Sequence, residues 1–211
     1  MTNRYHETAF TPAVRRLQER AGSREGYAAL ASAAGGDAHG RFTAREAQFI
    51  AERDGFYLAT VSETGWPYVQ FRGGPPGFAR VLDERTLGWA DFRGNQQFVS
   101  AGNASAGEGR AALILMDYPN RRRLKLFGRL SFTDAADAPG LAARLAVPGC
   151  RAKVDRAAVL RLEGFDSNCP QHIPQRFTLD ELGDALAPVR ARVAALEEEN
   201  RALRRRLGEA A

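Results

Sequence analysis

Apolar residues recur at two different periods along this chain. Between residues 55 and 162 they fall in short runs, often alternating with polar ones, the signature of strands. From Leu182 onward they recur at three- and four-residue steps, the signature of a helix. Gly55–Ser62 and Trp66–Arg72, rich in β-branched and aromatic residues around Glu63-Thr-Gly65, predict a hairpin. Further strands are predicted at Ala79–Leu82, Thr86–Ala90, Arg110–Tyr118 and Arg121–Phe132, separated by turn residues at 83–85 and by Pro119-Asn120. In the last of these, Leu124, Leu126, Leu130 and Phe132 alternate with Arg123, Lys125, Arg129 and Ser131, so one face is apolar and the other polar. Ala152–Leu162 predicts a closing strand. Ahead of the strands, Thr43-Ala-Arg-Glu46 is a capping box that starts a helix running to about Asp54. Six or seven short strands with few long helices among them indicate a mainly β, antiparallel barrel. Residues 1–42 read as a partly ordered arm with a short helical pattern near Val14, Leu17 and Arg20.

The C-terminal pattern is narrower than a core-packed helix requires. Leu186, Val193, Asn200 and Leu207 are seven apart, and Leu182, Val189, Leu196 and Leu203 form the adjacent stripe. This is a coiled-coil seam with one Asn, which favours a parallel two-stranded pairing. Pro188 is expected in the first turn of this helix or at a kink after one capped at Thr178. The domain reading is an arm over 1–42, a barrel over 43–176 and a helical tail over 177–211.

Composition then narrows the function classes. A chain of 211 residues with 44% hydrophobic content can bury a full core. Thirty basic against 25 acidic residues give a formal charge of +5, compatible with a phosphate-bearing partner. Nucleic acid is the weaker reading, because the Arg-rich tail is interleaved with Glu197, Glu198 and Glu199. The longest apolar run, Ala111–Met116, is too short to cross a bilayer. Two cysteines, Cys150 and Cys169, with no Cys-x-x-Cys pair and no His at ligand spacing, argue against structural zinc and for a reducing, cytoplasmic setting. Gly107-Glu-Gly-Arg-Ala-Ala112 fits a dinucleotide pattern in letters alone, since a strand rather than a helix follows it. Cys169 beside His172 has no evident orienting acid or oxyanion donors.

Candidate chemistry lies in the middle of the chain. Trp89–Ser100 passes from strand through turn to helix, which aims free backbone amides and the Arg93 guanidinium at one spot suited to a phosphate. Gln70 and Arg72 share one face of a strand, and Arg123 and Lys125 share one face of another. Such cations are costly to bury together without an anion, so the expectation is that they gather around a single phosphate.

The order of these segments, from Glu52-Arg-Asp-Gly-Phe-Tyr-Leu-Ala-Thr-Val61 through Gly65-Trp-Pro67 and Asp91-Phe-Arg-Gly-Asn95 to Arg121–Gly128, resembles the flavin-mononucleotide-binding split barrels related to pyridoxamine 5'-phosphate oxidase. The resemblance spans roughly residues 43–175. It implies an antiparallel split β-barrel with peripheral helices, and FMN held between the subunits of a homodimer. It places the flavin phosphate on Arg93, Asn95 and Ser100, in the segment that begins with Asp91 and Phe92. It places the ring along Gln70, Phe71 and Arg72. Arg123 stands where that family has a Gln, with Lys125 beside it. Asn168, Gln171 and His172 resemble the contribution made by the neighbouring subunit. The leucine run ending in lysine that is expected after the second strand is replaced by Gly73-Gly-Pro-Pro-Gly77, which argues against vitamin B6 as substrate. The resulting expectation is an FMN-dependent oxidoreductase acting on a small redox substrate, with no catalytic side chain assigned. A deazaflavin or haem is the other cofactor considered, and a non-catalytic flavin or haem sensing module the other function.

Overall fold

The computed structural model describes residues 3–33, 37, 39–167 and 170–208. They divide into two compact units, residues 1–117 with 121–171, and residues 118–120 with 172–211. The first unit is built on a seven-stranded, wholly antiparallel sheet: β1 (Gly55–Val61), β2 (Pro67–Gly73), β3 (Ala79–Asp83), β4 (Thr86–Phe92), β5 (Arg110–Asp117), β6 (Arg122–Asp134) and β7 (Val154–Ser167). Their spatial order is β2-β1-β5-β6-β7-β4-β3, so the ladder is open between β2 and β3. The sheet curls into a split barrel, because alternate residues of β1, β5 and β6 turn their apolar side chains to one interior. Phe56, Leu58, Leu87, Trp89, Leu115, Leu126 and Leu160 are essentially inaccessible there. All of the strand runs read from the sequence are present, and β7 extends five residues beyond its expected end at Leu162.

Helix α4 (Ala44–Ala51) starts at the expected capping box, with the Thr43 hydroxyl and the Glu46 carboxylate both engaged, and buries Phe49 and Ile50 in the core. It stops three residues short of Asp54, where Gly55 begins β1. Among the described residues the N-terminal arm holds three helices, α1 (Arg4–Ala9), α2 (Pro12–Arg20) and α3 (Arg24–Ala33), where the sequence indicated a single short one. Tyr5 of α1 stacks on Phe127 of β6, with ring centroids 4.9 Å apart. Gly164 of β7 permits this approach, since a Cβ there would lie 2.6 Å from the Tyr5 backbone nitrogen. Helices α5 (Val99–Ala106) and α6 (Pro139–Leu145) complete the unit.

In the second unit, α7 runs unbroken from Leu179 to Leu207 with Pro188 in its interior. Thr178 and Glu181 form a capping box at its start, and Gly208, left-handed at φ 73°, ends it. Pro188 therefore marks neither the start of the helix nor the boundary between two helices; the cap at Thr178 and the turns beyond the proline belong to one element. None of the described helices is long and apolar enough to cross a membrane.

Candidate functional site

Strand β2 lies at one edge of the sheet, and its two faces differ. Tyr68, Gln70 and Arg72 turn inward, while Val69 and Phe71 stay outside and exposed. Across the open side of the barrel, β4 ends in Asp91 and Phe92, and the chain then turns through residues 93–98 into α5. The turn is tight. Gln96 and Phe98 adopt positive φ of 58° and 55°, and the Asn95 side-chain oxygen accepts from the Gln97 amide at 3.2 Å. Phe98, at the N-cap, offers no side-chain acceptor, so the first amides of α5 are left without a side-chain cap. Two bonds hold α5 in place: Asn103 Nδ2 donates to Thr60 Oγ1 at 2.9 Å, and the buried Ser100 hydroxyl donates to Gln70 Oε1 at 3.1 Å.

Between these elements lies a cleft of about 220 Å³, lined by Tyr68, Gln70, Arg72, Asp91, Phe92, residues 94–99, Asp155 and Arg156. Asp91 is its anchor, only 2% exposed. Arg72 Nη1 donates to Asp91 Oδ1 at 2.7 Å, and Arg156 Nε and Nη2 donate to Asp91 Oδ2 at 3.0 and 2.6 Å. A buried carboxylate shared by two guanidinium groups leaves one positive charge in excess. The Arg156 guanidinium also lies 4.9 Å from the centroids of both Phe98 and Phe132, which fixes its plane. Arg72 Nε is buried without a hydrogen-bond partner. An anion in the cleft is the group that this excess charge and this spare donor suit. Among the described residues, the cleft wall carries no His, Cys or Lys.

The structure brings Gln70, Arg72, Asp91, Phe92 and Asn95 to this cleft, with Ser100 bonded to Gln70 behind them. Arg93 stands apart. Its side chain is half exposed and pairs with Asp155 at 3.1 Å, because the turn after Phe92 carries it onto the start of β7. Phe71 faces outward, as strand alternation from Gln70 requires.

Arg123 and Lys125 do not join Arg72 within one chain. Their β6 neighbours Leu124 and Leu126 take the inward positions, so both cations face out. Arg123 lines a separate hollow with Arg45, Glu46, Phe49 and Arg122. Lys125 pairs with Asp166 at 2.6 Å beneath Tyr5 of α1. Burial opposes the charge of Lys125, but the Asp166 carboxylate and the Tyr5 hydroxyl together outweigh it and hold the ammonium pKa above its ordinary value. Gln171 and His172 form an exposed turn with His172 at positive φ, and Asn168 lies outside the described residues.

Sequence reasoning missed Arg156, Tyr68, Gln96, Gln97, Phe98 and Asp155. Arg156 carried a signal: Asp155-Arg156 is a charged pair at the head of a strand whose next four residues, 157–160, are apolar, and a cation so placed needs a partner.

No family model matches the sequence, and no curated protein matches it. Solved structures do resemble the chain. One is a putative pyridoxamine 5'-phosphate oxidase from Lactobacillus delbrueckii, 20% identical, with 60% of this chain and 94% of that one covered and a TM-score of 0.46. Another is HupZ of Group A Streptococcus, 15% identical, with 64% and 99% covered and a TM-score of 0.46. A third is an FMN-binding protein from Syntrophomonas wolfei, 10% identical, with 59% and 85% covered and a TM-score of 0.45.

Proposed function

We propose that this protein is an FMN-dependent oxidoreductase that works as a homodimer, with the phosphate end of the flavin in the cleft between β2, β4 and α5. The observation that carries the reading is the Arg72–Asp91–Arg156 cluster, a cationic, partly unsatisfied wall beside the uncapped start of α5. Arg72 and Arg156 would bind the phosphate, while Asp91 keeps the two guanidinium groups apart and oriented. Asn95 and the amides of residues 96–99 would add neutral donors. The sequence resemblance, which runs through the same strand and turn segments, gives the reason to name a flavin.

Size supports a site shared by two chains. At about 220 Å³ the cleft is smaller than the roughly 300–1,000 Å³ of sites that enclose a whole ligand, so it takes one end of a flavin and leaves the ring outside. The outer face of β1 and β2 exposes Tyr57, Val61, Val69 and Phe71, an apolar surface on which a second copy would seat and supply the missing wall. Bound flavin would supply the two-electron chemistry. The side chains at hand then bind and orient.

Denaturing the purified protein and weighing what it releases tests the proposal. FMN, with visible absorbance that bleaches under a reduced nicotinamide, is the expected result. FMN without turnover would leave a flavin-binding module. A protein that releases no flavin and takes none up from solution would overturn the reading.

A further inference from the structure

Helix α7 buries none of its 29 residues, although it carries two apolar stripes of seven-residue period, one from Leu182 to Leu203 and one from Leu186 to Leu207. The leucines and valines of these stripes are 41–74% exposed. We propose that α7 pairs with α7 of a second copy of this chain as a parallel, in-register, two-stranded coiled coil.

Three observations select that occupant. The stripe is two positions wide in seven, the width of a coiled-coil seam and too narrow for the face of a globular core. The charges divide by face. On the side away from the seam, Glu198 pairs with Arg201 at 2.7 Å and with Arg205 at 3.4 Å along the same helix. Beside the seam, Arg192 and Glu199 make no ion pair among the described residues, and Glu197 meets only the more distant charge of Arg201 on its own helix. In a parallel pair Arg192 meets Glu197 of the second copy, and Glu199 meets Arg204 of the second copy, so both flanking contacts join opposite charges. Finally, Asn200 interrupts the apolar stripe, and its Oδ1 accepts only locally, from Arg204 Nε at 2.9 Å. Parallel pairing sets the two Asn200 amides against each other, whereas antiparallel pairing over the same length sets Asn200 against Val189 and buries an amide with no partner. Pro188 falls at a position facing away from the seam, so the backbone bond that it removes is lost on the solvent side.

Cysteine cross-linking of the full chain tests the pairing and its direction. In a background with Cys150→Ser and Cys169→Ser, Leu203→Cys should convert most of the protein to a disulfide-linked dimer under oxidised glutathione. Arg201→Cys, on the opposite face, should give at least tenfold less. Adding Leu196→Asp to the Leu203→Cys chain should abolish the link. Equal linking from both faces, no linking at 203, or linking that survives Leu196→Asp would each overturn the proposal. So would a link that forms only when Leu186→Cys and Leu203→Cys chains are mixed, since that is the antiparallel pattern.

Discussion

Arg72 and Asp91 stand 2.7 Å apart although four strands separate their own strands in the sheet, so a side-chain ion pair ties β2 to β4 where no backbone ladder does. Arg156 completes the tie from β7. The same three residues shape the candidate cleft, so an anion bound there would be coupled to the curl of the sheet.

Asp91→Asn keeps the shape of the side chain and removes the charge that two guanidinium groups share. Leaving these cations facing each other should cost on the order of 3 kcal/mol of folding stability, read as a lowered urea midpoint. An unchanged midpoint would show that the tie is idle.

Flavin retention should rank the arginines by where their side chains point. Arg156→Ala removes a charge-assisted phosphate contact worth about 1.5–3 kcal/mol, so FMN affinity should fall about 10- to 100-fold. Arg93→Ala, whose guanidinium is turned to Asp155, should change affinity severalfold at most. Fluorescence titration of the apoprotein with FMN separates the two, and the reverse ranking would move the phosphate to the Arg93 side of the turn.

Gly164→Ala places a methyl group 2.6 Å from the Tyr5 nitrogen and 2.9 Å from the Arg4 carbonyl carbon, both backbone atoms. Helix α1 must move off β7, at a cost of about 1–3 kcal/mol. Faster cleavage within residues 3–33 in limited proteolysis is the expected sign. Unaltered cleavage would mean that the arm adapts without leaving the barrel.

The arm should also loosen in mild acid. His6 stacks on Phe10 at 4.3 Å and meets Tyr27 edge-on, and its buried Nδ1 has no partner. Burial lowers its pKa below the ordinary 6.5, with the nearby Asp166 charge only partly opposing this. Because the folded pKa is the depressed one, the contribution of His6 is complete above pH 6.5 and fades as the pH falls through the folded value. An NMR titration of the His6 ring should give a midpoint below 6.5, and His6→Phe should flatten the pH dependence of stability over that range.

Periodicity made the framework legible. The alternation in Arg121–Phe132, the Thr43 and Thr178 capping motifs and the turn residues between strands located the elements to within a few residues, because each is a local rule. The site was only half legible for the same reason. Gln70 and Arg72 share a face by strand geometry, and the alternation in β6 correctly turned its leucines inward, but nothing local says whether the polar face with Arg123 and Lys125 meets the Arg72 site. Arg156 became visible only once β7 lay beside β4, a pairing across more than sixty residues. The single helix expected in the arm became three because α1 is held by stacking on Phe127 and a close approach at Gly164, contacts that no short window contains.

With α1 laid along β6 and β7, the chain has already upholstered one side of its own exterior, and the side formed by β1 and β2 is left bare at Tyr57, Val69 and Phe71. Visitors to this barrel therefore do not meet a symmetrical drum. One flank presents them with helix and charge, the other with a greasy plank.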